Sequence, residues 1–309
     1  MSPITEQLLN ACLSNNYQFA NDLLQNSPPS TYDINALKID EGGCCLHYAI
    51  MHQNPELVRL LLRYGANPAV QSLEGGSNAL HLAAHTGNHT VLQLILNAPT
   101  TSDSLIDSID QEHYTPLMFA VASRSVYCIT ELLKRKCDVH TIESKSKRTA
   151  LHICCMDKCL REDGMDDEDA IGAQIEISRL LLNYGSDPNK KDDNGQTPLH
   201  LAVMTLSQKV CSTLLNFNGL IDIRDNSGKT ARDIAIEMNN QPLATFLENK
   251  RASVLHGYNT IQANLQPLLR ENESLHEKVK KLESEVDELR NLLTSNKFRE
   301  MVMSIVKNN

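Results

Sequence analysis

The chain has 309 residues, 41% of them hydrophobic and 22% charged, with 13 Gly, 11 Pro and no Trp, a composition that buries a core and is neither collagenous nor disordered throughout. Its formal net charge of −9 creates no global positive field toward nucleic acid or anionic lipid. Nine cysteines, odd in number and scattered from Cys12 to Cys211, exclude a disulfide framework, and the longest apolar runs, such as Leu60 to Leu62, are too short to span a bilayer. The opening MSPITEQLLN has no basic segment followed by an apolar one, so a reducing compartment, cytoplasmic or nuclear, is expected.

In chain order, residues 4–37 predict two short helices, around Leu8 to Leu13 and Ala20 to Leu24. From there one phrase recurs: Cys44-Cys45-Leu46-His47, Asn78-Ala79-Leu80-His81, Thr115-Pro116-Leu117-Met118, Thr149-Ala150-Leu151-His152, Thr197-Pro198-Leu199-His200, and a degenerate Thr230-Ala231-Arg232-Asp233. The first positions are spaced 34, 37, 34, 48 and 33. Each phrase leads into a small-residue stretch such as Leu82-Ala83-Ala84, and about ten residues later into a Leu-rich one such as Leu94-Ile95-Leu96. Two helices per unit follow. Thr caps the first helix, Pro fits its first turn, and Leu enters the core. Tyr64-Gly65-Ala66-Asn67-Pro68 and Tyr184-Gly185-Ser186-Asp187-Pro188 close units with turn chemistry.

This pattern resembles the ankyrin repeat, a unit of about 33 residues opened by threonine-proline-leucine-histidine. The resemblance covers about residues 40–250 in six recognisable units, with residues 4–37 as a divergent first one. It implies an all-α ankyrin-repeat solenoid of helix-turn-helix units with β-hairpin tips, in which the histidine braces neighbouring turns. The expected division is a repeat domain over 1–250 with about seven units, a linker over 251–266, and a coiled coil with C-terminal helix over 267–309.

The departures locate irregularities. Gly42, Gly76, Gly195 and Gly228 stand two places before the phrase, but His113 and Lys147 occupy that place in two units, so those tips must differ in backbone shape or carry strain. Asp110, Asp192 and Asp225 recur five places before it. The 37-residue spacing adds residues around Thr100 to Leu105, and the 48-residue spacing adds about fifteen within Lys158 to Gly172. That segment carries six carboxylates against two cations and is expected to be a mobile acidic loop between the helices of its repeat. Side chains that do not help a tip to turn are candidates for partner contact: Gln111, Glu112, His113 and Tyr114 on one tip, Lys145, Lys147 and Arg148 on the next. Tolerated surface variation accounts for them equally simply.

In the tail the period changes. Leu268, Asn272, Leu275, Val279, Leu282, Val286, Leu289 and Leu293 are separated alternately by 4 and 3, a heptad seam with Leu at d and mostly Val at a. Pro267 is expected to mark its start, since proline suits only a helix's first turn. In a parallel pair, Glu271 faces His276, Lys278 faces Glu283 and Glu285 faces Arg290, with no like charges. Asn272 at an a position fits parallel register. The other arrangement is a helix folded back on the last repeat, with Leu269 and Leu292 widening its apolar face.

Two sets of residues suggest chemistry and are set aside. His81, His85 and His89 have helical spacing for a metal, but His81 is the repeat's own histidine and Gly87 ends the helix before His89. His152, Cys155 and Cys159 have no third orienting group for catalysis, and Cys154-Cys155 occupies a small-residue stretch. No phosphate-binding glycine loop or nucleophile motif is present. The resulting expectation is a non-enzymatic binding module or adaptor without metal or cofactor. It would bind other proteins, neither nucleic acid nor membrane, and form a parallel homodimer or a heterodimer through the seam. The alternative is a transcription-regulatory subunit, since repeats followed by a coiled coil resemble the fungal cell-cycle start factors.

Overall fold

In the computed structural model, which describes residues 1–38, 42–156, 168–294 and 300, the recurring phrases begin helices for the capping reasons given above. The inner helices are α1 (Pro3–Leu13), α3 (Cys45–Met51), α5 (Ala79–Thr86), α7 (Pro116–Ala122), α9 (Ala150–Met156), α11 (Pro198–Met204) and α13 (Ala231–Glu237). The outer helices are α2 (Tyr17–Asn26), α4 (Pro55–Arg63), α6 (His89–Leu96), α8 (Val126–Lys134), α10 (Glu168–Asn183) and α12 (Gln208–Asn216). Asn and Ser side chains start the outer ones: Asn16, Asn54, Asn88 and Ser125 accept the backbone N–H three residues on, supplying partners for donors that a helix start leaves open. Inner packs on inner, from α1 on α3 through α11 on α13, and outer on outer, from α2 on α4 through α10 on α12. One continuous apolar core results, running from Leu8 to Leu247.

The turn between inner and outer helix uses a left-handed residue in six repeats: Asn15, Gln53, Gly87, Arg124, Leu206 and Asn239. Only one is glycine. For a side chain such as that of Leu206, at φ +62°, this conformation costs about 1–2 kcal/mol, which the packing of the paired helices outweighs.

The expected β-hairpins are corrected to tight turns, with no strand among the described residues. Backbone bonds close the turns internally, as in Asp110 N–H to Tyr114 O (3.1 Å) with His113 N–H to Asp110 O (3.1 Å), and Asp192 N–H to Gln196 O (2.8 Å) with Gly195 N–H to Asp192 O (2.9 Å). Successive tips are tied by another: Leu73 N–H to Gly42 O, Gln111 to Gly75, Ser144 to Glu112, Asp193 to Ser146, and Asn226 to Asn194, at 2.8–3.0 Å. Single bonds of this kind satisfy the tips without a strand ladder. Asp110, Asp192 and Asp225 each accept two backbone N–H groups of their own turn through Oδ1. His113 and Lys147 keep the same backbone shape as the glycines, at φ +63° and +59°, so those tips carry strain. At Gly195 a side chain would strike Oδ1 and the backbone nitrogen of Asn226 in the following tip. In the last tip Arg224 Nη1 donates to Gly228 O (2.6 Å).

The histidines of the phrase tie adjacent repeats. In each, Nδ1 accepts the N–H of the helix's cap residue: Cys44 for His47, Asn78 for His81, Thr149 for His152 and Thr197 for His200, at 3.1–3.3 Å. Nε2–H donates to a carbonyl of the next repeat, of Val70, Tyr114, Gln196 and Lys229 respectively, at 3.0–3.3 Å. The Nδ1 acceptor requires the neutral ring, since protonation would turn it into a donor facing another donor. Met118 replaces this brace with a buried apolar side chain.

The 48-residue unit differs from expectation. Residues 168–172 of the supposed acidic loop are the first turns of α10, which is 16 residues long against nine in α8. They are helical because Ala170 and Gln174 are buried on one face, with Gln174 Nε2 donating to Cys154 O (2.8 Å). The remainder of that expectation, including Cys159, lies outside the described residues.

The chain divides into Met1–Leu247 and Glu248–Asn309. Helix α14 runs Gln241–Thr294 with Pro267 inside it, so it passes through the proline instead of starting there. The lost N–H would have bonded the carbonyl of Ala263, and both residues are exposed in the single chain. No described helix is long and apolar enough to cross a membrane.

Two outcomes test this account. Burial, partly opposed by the carbonyl bonds, lowers the pKa of His47, His81, His152 and His200 below the ordinary 6.5. Below that pH the unfolded chain binds more protons, so the histidines' contribution is complete above about pH 6.5 and is lost as pH falls through the folded values. Urea midpoints should therefore be lower at pH 5.5 than at pH 7.5; a rise would contradict neutral, buried rings. Glu143, buried at 2% exposure, accepts the N–H groups of Lys145, Ser146 and Arg148 at 2.7–3.0 Å. Glu143→Ala should cost about 2 kcal/mol in denaturant unfolding by orphaning them, with Glu143→Gln costing less.

Candidate functional site

The two singled-out tips lie side by side, joined by Ser144 N–H to Glu112 O and by Lys145 Nζ to Glu112 Oε1 (2.5 Å). Their side chains divide by task. Arg148 Nε bonds Asp192 Oδ2 at 3.2 Å, and that carboxylate is fully buried. Removing Arg148 would leave a buried charge short of a partner, so its first task is structural. Tyr114 is half-buried, its ring 5.9 Å from that of Phe119 and its carbonyl taken by His81. Glu112 and Lys145 are spent on each other at the surface, a pair of small energetic weight. Gln111, His113 and Lys147 are exposed. Glu143 is the residue that sequence reasoning missed: this turn has one more residue than the Asp110 turn, and a side chain one methylene longer, set one place earlier, does the work of the aspartate.

Arg148 of the second tip also borders a groove of about 620 Å³ formed with the later inner helices. Met156, Leu201, Met204, Ile234 and Met238 provide its apolar lining, and its rim includes Arg148, Lys229 and Glu237. The rim is tied to the lining: Arg148 Nη1 lies 3.5 Å from Met156 Sδ, and Gln196 Nε2 lies 3.6 Å from Met204 Sδ. Lys229 and Glu237 pair at 2.7 Å. The three methionines are 40–42% exposed. Flexible thioether side chains conform to varied apolar groups, and the mixed-charge rim favours no single sign. A signal for this surface was present, since Met51, Met156 and Met204 each stand seven places after the start of the phrase.

The residues that suggested chemistry separate in space. His81 is a brace, His85 packs edge-on to Phe119 at 5.8 Å, and His89 begins α6 with its ring 5.4 Å from Tyr127. His152 spends Nδ1 on Thr149, whose Oγ1 is 2.9 Å away, and Nε2 on Gln196. Burial raises the Cys155 thiol well above its ordinary pKa, with Cys154 and Cys211 adding to the effect, and Cys211 is pushed up to about 12 by burial. Such thiols are core side chains and not nucleophiles. Among the described residues no cluster of His, Cys, Asp and Glu could hold a metal ion.

On the tail, Leu268, Leu275, Val279, Leu282, Val286 and Leu289 are exposed to between 46% and 61% in the single chain. Asn272 is exposed among them. The Leu293 side chain lies outside the described residues.

Comparison with known proteins agrees with this construction. The family model described as ankyrin repeats (3 copies) matches residues 8–104 and 170–256, and that of the single ankyrin repeat matches 146–193. The chain is 28% identical over 295 residues to the Nuclear factor NF-kappa-B p105 subunit of Gallus gallus, covering 90% of this chain and 28% of that protein. It is 24% identical over 193 residues to Rabankyrin-5 of Homo sapiens, covering 62% of this chain and 16% of that one. It thus spans less than a third of either relative. The crystal structure of the ankyrin repeat domain of Bcl-3, described as a unique member of the IkappaB protein family, superposes with a TM-score of 0.59 at 21% identity, over 74% of this chain and 92% of that one. With both models together matching well over half of its residues, the chain belongs to the ankyrin repeat family.

Proposed function

We propose that this protein is a non-enzymatic interaction module that binds partner proteins on its inner-helix face and self-associates through its tail. The observation that carries the reading is the groove floored by Met156, Met204 and Met238. It offers adaptable apolar contact edged by Arg148 of one tip, while Gln111, His113 and Lys147 stand exposed on the two tips, and such a combination suits a peptide with apolar anchors and flanking polar groups. Membership of a repeat family supports protein recognition as the task, since stacked repeats expose an extended binding surface. No cofactor, nucleic acid or membrane enters this reading. The proposed organisation keeps the repeat domain at 1–250, a linker at 251–266 and a coiled coil with C-terminal helix over 267–309, in the cytoplasm or nucleus.

The seam from Leu268 to Leu293 supports a parallel homodimer. A stripe of leucine and valine about half-exposed in the single chain gains by burial against a copy, and the facing pairs Lys278 with Glu283 and Glu285 with Arg290 are complementary. A second reading, a transcription-regulatory subunit, is favoured by the likeness to a protein named as a nuclear factor subunit over 90% of this chain. Nuclear accumulation of the tagged protein would favour that reading, and cytosolic distribution the adaptor.

The full-length protein should run as a dimer in light scattering. Leu282→Asp, which buries a charge in each chain at a cost of about 3–5 kcal/mol, should yield monomers with an unchanged repeat-domain melting transition. A monomeric wild type would defeat the self-association reading. For the groove, Met156→Glu combined with Met204→Glu should cut recovery of partner proteins at least tenfold at unchanged melting temperature. Equal recovery would remove this surface as the binding site.

A further inference from the structure

Helix α14 is continuous from Gln241 to Thr294, and its weakest stretch lies before the recognised heptads. Residues 252–269 contain no Asp, Glu, Lys or Arg, and they include Gly257, Thr260, Ile261 and Pro267. A glycine costs a helix interior about 1 kcal/mol and a proline about 3 relative to alanine, and no charged pairs one turn apart offset them here. Propensity does not hold such a stretch helical in water, so packing must.

The stretch has a face for that packing. Counting back from Leu268 at a d position, the seam continues without a break in phase: Leu265 at a, Ile261 at d, Tyr258 at a and Val254 at d. These side chains are 44–70% exposed in the single chain. In the same count Pro267 falls at c, and Ala263, whose carbonyl the proline leaves unbonded, falls at f. Both positions face away from a coiled-coil partner. The defect that argued for a helix start therefore sits where a pair of helices tolerates it.

We infer that the coiled coil extends through Pro267 to Val254, and that the occupant of this upstream face is a second copy of this chain in parallel register. The inference rests on the homodimer reading of the downstream heptads and deepens it. A parallel pair brings each a and d residue against its own counterpart, and every such layer from Val254 to Leu289 is neutral, so no layer repels itself. The downstream pairs Lys278 with Glu283 and Glu285 with Arg290 set the register that carries upstream. Leu255 and Leu269, both at e and 60% and 46% exposed, widen the upstream seam. The paired length grows from 26 residues to 40, about 39 Å to about 60 Å at 1.5 Å per residue, which takes the seam from under four heptads to nearly six.

Single cysteines introduced into the full-length protein test the extent. A d position in a parallel pair places two copies within the 4.4–6.8 Å Cα separation that a disulfide spans, whereas a b position does not. Under mild oxidation, Ile261→Cys and Leu282→Cys should each give a reducible dimer on a denaturing gel in at least fivefold excess over wild type, whose native cysteines set the background. Gln266→Cys, at b, should stay at that background. Dimer from Leu282→Cys with none above background from Ile261→Cys would overturn the extension and leave the downstream coiled coil standing. Background levels from both would overturn the extension and the parallel homodimer together. Equal cross-linking of Gln266→Cys and Ile261→Cys would also overturn the extension, since the pairing would then lack the heptad's facing geometry.

Discussion

The repeat array depends on each unit meeting the backbone hydrogen-bonding needs of the next. Units this short have too few residues to bury their own turns, and an open amide or carbonyl at a buried junction costs as much as a lost hydrogen bond. A neutral imidazole solves the problem with one acceptor and one donor on opposite sides of a rigid ring. His200 takes the Thr197 N–H on Nδ1 and gives its Nε2 proton to Lys229 O, fixing a helix start and the next turn together. The turns add their own link, one amide to one carbonyl from tip to tip. Apolar packing then holds together helices whose orientation these polar ties have already chosen.

This division of labour clarifies what the tips can do for a partner. A side chain engaged in holding a junction is not available for binding at the same time, and Arg148, against the fully buried Asp192, is such a case despite its place in a basic sequence cluster. His113 and Lys147 differ. They occupy a left-handed position that glycine fills elsewhere, at φ +63° and +59°, and their side chains do not close the turn. Strain of this size is not peculiar to the tips, since Arg124 and Leu206 carry it in their inter-helix turns.

Much of the fold was legible because its determinants are local. Thr before Pro starts a helix, Asn three residues ahead of an apolar run starts another, and Gly87 at φ +67° ends one. The failures come where a local rule loses to its surroundings. Arg124 and Leu206 take left-handed turns without glycine because helix packing overrides the cost. Glu143 escaped notice because a longer side chain, one place earlier, substitutes for the recurring aspartate. Residues 168–172 look like solvated loop by charge, yet Ala170 and Gln174 find a buried face. Pro267 reads as a boundary only if the helix face on which it sits is ignored. The groove is harder still, since Met156, Met204 and Met238 are neighbours only once the repeats have stacked, so only the repeat alignment, and no single window of sequence, could point to it.

The bonds between tips all run one way: each amide points back to a carbonyl of the preceding turn. A stack built like this has polarity, and its trailing end would present acceptors ready for another turn, much as an edge strand invites a further strand. Head-to-tail contacts of that kind generate open filaments instead of closed assemblies. In the final turn the guanidinium of Arg224 donates to Gly228 O at 2.6 Å, one residue beyond Ser227, which holds the place of the accepting residues Gly75, Glu112, Ser146 and Asn194. A guanidinium set over the last turn puts charge where an added turn would have to dock, in the way that charged side chains blunt the edge of a sheet.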